Sequence, residues 1–146
     1  MCTGLQVAAE LPSTERAAAP CRQFVRSLLA AWGRPAAQDD AELVVAELFS
    51  NAVRHAVTEL HRLELRVEAD YLTVALTDAS PHWPQRRTVS PAATSGRGLS
   101  IIEALARNWG VIPLASGGKR VWVELPLDEP CHNCHGTAPA SLAASS

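Results

Sequence analysis

No stretch of this 146-residue chain approaches the roughly 20 apolar residues that a bilayer-spanning helix needs. A membrane segment is therefore not expected. The opening Met1-Cys-Thr-Gly-Leu-Gln has neither the basic region nor the apolar run of a secretory signal, so a cytoplasmic location is expected. Excess charge of either sign is missing too. Thirteen Lys+Arg face 15 Asp+Glu, a formal net charge of −2, which gives no overall attraction for nucleic acid or an anionic membrane. Lysine is almost absent, one residue beside twelve arginines. The four cysteines should be reduced thiols in a cytoplasmic chain unless a metal holds them. Several catalytic signatures do not occur: no G-x-x-x-x-G-K-[ST], no H-R-D or D-F-G, no G-x-S-x-G and no H-E-x-x-H. These absences exclude P-loop proteins, ordinary protein kinases and the common hydrolase motifs.

What is present suffices for one folded unit. Apolar residues make up 47% and charged residues 19%, which excludes a disordered chain. A domain of this length buries roughly 68–70% of its unfolded surface and needs no disulfide or metal to fold. Residues 1–127 carry the hydrophobic patterning. From Asp128 the composition turns to Pro, Ala, Ser and Gly, a flexible tail.

Along the chain, residues 5–10 suit an edge strand. A helical period follows through Phe24, Val25, Leu28, Leu29 and Trp32, stopped by Gly33 and Pro35. A second helix is expected from Asp39-Asp40 to about residues 55–57, its acidic start matching the helix dipole. Residues 63–67 and 72–77 alternate in period two about an Ala69-Asp70 turn, the pattern of a hairpin. A third helix is expected from Gly98 to about Asn108. Residues 110–114 and 119–125 flank Gly117-Gly118 as a second hairpin. The order β-α-α-β-β-loop-α-β-β implies an α+β two-layer sandwich, a mixed, mostly antiparallel sheet with helices on one face. Residues 79–97 hold three prolines and no hydrophobic period; a connection that long is either a functional lid or a plain insertion.

Chemistry-bearing residues gather in three places. On the second helix Glu47, Asn51 and His55 follow one another at i, i+4 and i+8, with Arg54 alongside. Such a stripe is either a solvated face or a set of oxygen donors for a hard cation such as Mg²⁺. Glu47 could then also orient or deprotonate a nucleophile. Asp78 ends an apolar strand, where a carboxylate either caps a turn or accepts a hydrogen bond from an exocyclic amine such as that of adenine. Gly96-Arg97-Gly98-Leu99 opens the third helix, either as a flexible entry or as a backbone that approaches phosphates. In the tail, Cys131-His-Asn-Cys134-His135 matches a haem c attachment pattern, which the expected location disfavours. Two thiolates at that spacing, with His135, fit a zinc clip better; the alternative is an inert tail.

The sequence Glu47-Leu-Phe-Ser-Asn51-Ala-Val-Arg-His55-Ala, then Asp78, then Gly96-Arg-Gly98-Leu99 resembles the GHKL superfamily of Bergerat-fold ATPases. More narrowly it is similar to the small bacterial anti-sigma-factor serine kinases, over about residues 5–126. That resemblance implies ATP and Mg²⁺ as cofactors, Asn51 as the Mg²⁺ ligand and Glu47 as general base. It implies Asp78 at the adenine amine, and Gly96, Arg97, Gly98 and Leu99 around the phosphates, with Arg54, His55 and Ser80 at the same site. The implied partners are an anti-anti-sigma (STAS) protein, phosphorylated on serine, and a sigma factor; a homodimer is a further expectation, with Trp32, Trp83, Trp109 and Trp122 as candidate interface anchors. The alternative is a module on the same fold that sequesters a regulator without catalysis. Two departures stand out. The glycines usual after the adenine-contacting Asp are replaced by Asp78-Ala-Ser80-Pro-His. On the last strand, Arg120 stands at about the place of a threonine that the family sets near adenine.

Overall fold

The computed structural model describes residues 5–54, 59–68, 70–78, 97–115 and 117–127, with the backbone alone at 97–99. The elements run β1 (Leu5–Pro12), α1 (Ala18–Ala31), α2 (Gln38–Arg54), β2 (Leu60–Val67), β3 (Tyr71–Asp78), α3 (Arg97–Leu105), β4 (Asn108–Pro113) and β5 (Lys119–Pro126). The five strands form one sheet in the order β1-β2-β3-β5-β4. Every pairing among them is antiparallel, so the expected mixed sheet is in fact uniform. The geometry follows from connection lengths: β1 returns through two helices, β2–β3 and β4–β5 are hairpins, and α3 carries the chain past β5's place to the far edge.

Alternation decides which face is covered. Leu63, Leu65 and Val67 of β2, Leu72, Val74 and Leu76 of β3, and Val121, Val123 and Leu125 of β5 point to one side and are buried. There they meet Val25, Leu28 and Leu29 of α1, Ala41, Val44, Val45, Leu48 and Ala52 of α2, and Ile102 of α3 in one core. The opposite face carries Arg62, Glu64, Arg66, Arg120, Trp122 and Glu124. The expected α+β two-layer sandwich is what forms.

Local chemistry sets the boundaries. Helix α1 closes on Gly33, whose φ of 73° lies in the left-handed region that glycine adopts without Cβ strain. The Gly33 amide donates to the Ala30 carbonyl at 3.1 Å and the Arg34 amide to the Leu29 carbonyl at 2.8 Å, the paired bonds of a Schellman ending. Arg26 then ties α1 to the start of α2 through Asp39 (2.9 Å) and Glu42 (2.6 Å). Helix α3 ends earlier than its apolar period implies. The Ala106 amide still donates to the Ile102 carbonyl, but that of Arg107 donates to the Glu124 carbonyl of β5 at 2.8 Å. Sheet pairing thus captures the chain three residues before the expected helix end, and β4 begins at Asn108.

Candidate nucleotide site

Helix α2 packs on β3, β5 and α3. Its core stripe is Ala41, Val44, Val45, Leu48, Phe49 and Ala52, whereas Val53 is partly exposed. Glu47 and Asn51, one turn apart, flank that stripe and are half-buried, so they are neither core nor a fully solvated face. Arg54 is exposed and donates to Ser50 Oγ at 3.4 Å. His55, the third member of the stripe, lies outside the described residues, as do Ser80 and Gly96. Arg97 and Gly98 form the first turn of α3, with Leu99 next.

Asp78 is the last residue of β3 and points to the helix side, 5% exposed. The residue facing it across β5 is Lys119, which is fully buried and donates from Nζ to Asp78 Oδ1 at 3.1 Å. Arg120, expected at about the place of a threonine near adenine, does not face this side. Arg120 pairs with Thr77, so its side chain emerges on the helix-free face, where its Nε bonds Glu64 Oε1 at 3.1 Å. A one-residue step along a strand exchanges faces, and the register decides which of two neighbouring cations meets the carboxylate.

On the other flank of Asp78, one step beyond the Arg62–Thr77 pair, stands His61. It is 1% exposed, and its Nε2 lies 2.8 Å from Ser13 Oγ. Its Nδ1 is buried with no hydrogen-bond partner among the described residues. Burial, the dominant influence, lowers its pKa below the usual 6.5; the Asp78 charge opposes this and that of Lys119 reinforces it. The Phe49 ring meets the His61 ring edge-on, with centroids 6.0 Å apart. This contact brings the Glu47–Asn51 turn of α2 over the sheet end that holds Asp78.

Lys119 and His61 escaped the motif reading, although signals for both exist. His61 continues the inward alternation of Leu63, Leu65 and Val67, and Lys119 that of Val121, Val123 and Leu125. A cleft of about 620 Å³, lined by residues including Arg62, Glu64, Arg66 and Arg120, opens on the helix-free face, away from this site. Among the described residues no three His, Cys, Asp or Glu side chains gather as a metal site. The Cys131–Cys134–His135 clip lies outside them. Trp32, 2% exposed, is a core residue and is unavailable as an interface anchor.

Residues 11–125 match the family of the histidine kinase-like ATPase domain. The chain belongs to that family and is a GHKL-type ATPase domain. Among solved structures it is similar to the histidine kinase domain of the blue-light activated histidine kinase from Erythrobacter litoralis EL346. The identity is 18%, the TM-score is 0.46, and the match covers 80% of this chain and 61% of that one. The chain thus spans less than two thirds of that domain. No curated protein matches it.

Proposed function

We propose that this domain binds ATP with Mg²⁺ and transfers phosphate to a serine of a STAS-type anti-anti-sigma partner, the same chain also capturing a sigma factor. The observation that carries the ATP site is the burial of Asp78 at the sheet end over which the Glu47–Asn51 turn lies, within a histidine kinase-like ATPase fold. The donor set fits the cofactor. Half-buried Asn51 offers an amide oxygen and Glu47 a carboxylate one turn away, hard donors of the kind Mg²⁺ prefers beside phosphate oxygens. Bound there, Mg²⁺ would neutralise charge on the phosphates. Asn51 would hold the ion, Glu47 would accept the serine hydroxyl proton, and Asp78 would accept from the adenine amine. Catalysis of this type is mostly positioning and charge stabilisation, so a few side chains suffice. The sigma and STAS partners rest on the motif resemblance alone.

The run Asp78-Ala-Ser-Pro-His, without glycine, favours a second reading, a regulator-binding module without turnover. Calorimetric titration with ATP, with and without Mg²⁺, separates the two. The enzyme reading expects ATP binding that weakens roughly 10–100-fold in Asp78→Asn, the worth of one charge-assisted hydrogen bond. It expects Asn51→Ala to remove the Mg²⁺ dependence, and Glu47→Ala to retain ATP while losing phosphate transfer to STAS substrates. Undetectable ATP binding by the native chain overturns it in favour of the module.

A further inference from the structure

Arg62, Glu64 and Arg66 stand at alternate positions of β2 and so point to the same, helix-free face of the sheet. The register fills in their rows. Arg62 lies beside Thr77 of β3, and Thr77 beside Arg120 of β5. Glu64 lies between Ala8 of β1 and Ala75 of β3, and Arg66 between Gln6 and Thr73. Alanine on both sides of Glu64, set between two rows of longer side chains, leaves a trough. That trough is the cleft of about 620 Å³, within the roughly 300–1,000 Å³ usual for small-ligand sites. Its charge is not balanced. Three arginines line it against one glutamate, in a chain whose formal net charge is −2. Arg62 is exposed and has no ion pair among the described residues. Arg120 bonds Glu64 at 3.1 Å, and Arg66 pairs with Glu68 at 3.0 Å. A guanidinium has five N–H donors and grips a carboxylate through two of them, so both keep donors for a further anion. Exposed ion pairs add little to stability, which gives poor grounds for three arginines around this trough.

We propose that this cleft binds a small bis-anionic phosphate ester, a sugar or polyol that carries a phosphate at each end. Charge alternates along the trough: Arg62 and Arg120 at one end, Glu64 in the middle, Arg66 at the other. The complementary ligand is negative at both ends and donates hydrogen bonds from a neutral centre. One phosphate takes the Arg62–Arg120 end, the other takes Arg66, and a hydroxyl of the spacer donates to Glu64. The end rows are four strand residues apart, about 13 Å at the backbone, a gap that arginine side chains narrow from both sides. Guanidinium forks match the oxygens of phosphate, and an arginine serves such a group better than a lysine does. Glu64 selects against inorganic polyphosphate, whose continuous negative charge must pass over the carboxylate. The cleft lies on the face of the sheet opposite Asp78, so nothing in the nucleotide reading is needed for it.

Calorimetric titration of the full chain tests this with four probes: fructose 1,6-bisphosphate, fructose 6-phosphate, hexane-1,6-diol bisphosphate and inorganic tripolyphosphate. The sugar bisphosphate is expected to bind roughly 10–100-fold more tightly than the monophosphate, the worth of one charge-assisted contact. It should also bind more tightly than the hexanediol compound, which has both phosphates and no free hydroxyl. Arg62→Gln and Arg66→Gln should each weaken the sugar bisphosphate by a similar factor, and Asp78→Asn should leave it unchanged. Arg62 is exposed and without an ion pair among the described residues, so its variant is expected to melt like the native chain and to remain a fair test. Equal affinity for the mono- and bisphosphate overturns the proposal, as does equal affinity for the hexanediol compound. Tighter binding of tripolyphosphate overturns it in favour of a general anion patch. Binding that Asp78→Asn weakens and the arginine variants spare places the ligand in the nucleotide site, and overturns it too. So does the absence of any binding by the native chain.

Discussion

His61 shows how a single side chain records its surroundings. Its ring is enclosed by Phe49, Ser13 and the Asp78–Lys119 pair, and burial holds its pKa below 6.5. The unfolded chain therefore takes up a proton on this ring as the pH falls below about 6.5, while the folded protein does not. Folding stability contributed by His61 is intact above that pH and is lost on descending from it to the depressed folded value. Between the two, the slope approaches roughly 1.4 kcal/mol per pH unit for one proton. In melts at pH 8 down to 5, His61→Gln should show a shallower decline than the native chain. Parallel profiles would show that the ring is protonated in the folded state as readily as in the unfolded one. Cys21 behaves similarly: burial is the larger influence and raises its thiol to about 11, opposed by Arg22. It is a small apolar core residue rather than a nucleophile.

At the scale of elements, the β4–β5 pair depends on the absence of one side chain. Gly110 lies opposite Trp122, and a Cβ there would sit 2.7 Å from the indole. The tryptophan ring is laid over the glycine, as aromatic residues cover strand glycines elsewhere. Gly110→Ala should force the ring away and cost about 1–3 kcal/mol, a fall of roughly 3–10 °C in Tm. An unchanged Tm would mean that the ring swings clear at no cost. Helix and strand identities were legible in the sequence because each has an amphipathic period and punctuation of its own: Gly33 after α1, Asp39-Asp40 at the start of α2, Gly117-Gly118 between β4 and β5. The end of α3 was not, because Ala106–Asn108 suits helix or strand and the Glu124 carbonyl decides between them. The residue beside Asp78 was not legible for a related reason. Lys119 and Arg120 are adjacent cations, and only the β3–β5 register reveals which of them turns inward.

On the scale of the whole molecule, motif order carried the candidate site further than any single residue did. Taken singly, Glu47 and Asn51 read equally as solvent-facing and Asp78 as a turn cap. The packing of α2 on β3 and β5 sets that helix over the strand that ends in Asp78 and the strand that begins with Lys119. The last described residues are fastened into the fold. Leu125 is 2% exposed and Leu127 9%, and the Leu127 amide donates to the Asp70 carbonyl at 2.8 Å, fastening the end of β5 to the β2–β3 turn. A chain ending at residue 127 should therefore keep the native Tm and nucleotide affinity. One ending at residue 124 loses two buried leucines and that bond. Leu→Ala changes in cores typically cost about 2–5 kcal/mol each, so this shorter chain should be largely unfolded at 37 °C. Circular dichroism melts of the two truncations check the boundary. A 1–127 chain that melts well below the full-length protein would mean that residues 128–146 pack on the domain and are part of its structure.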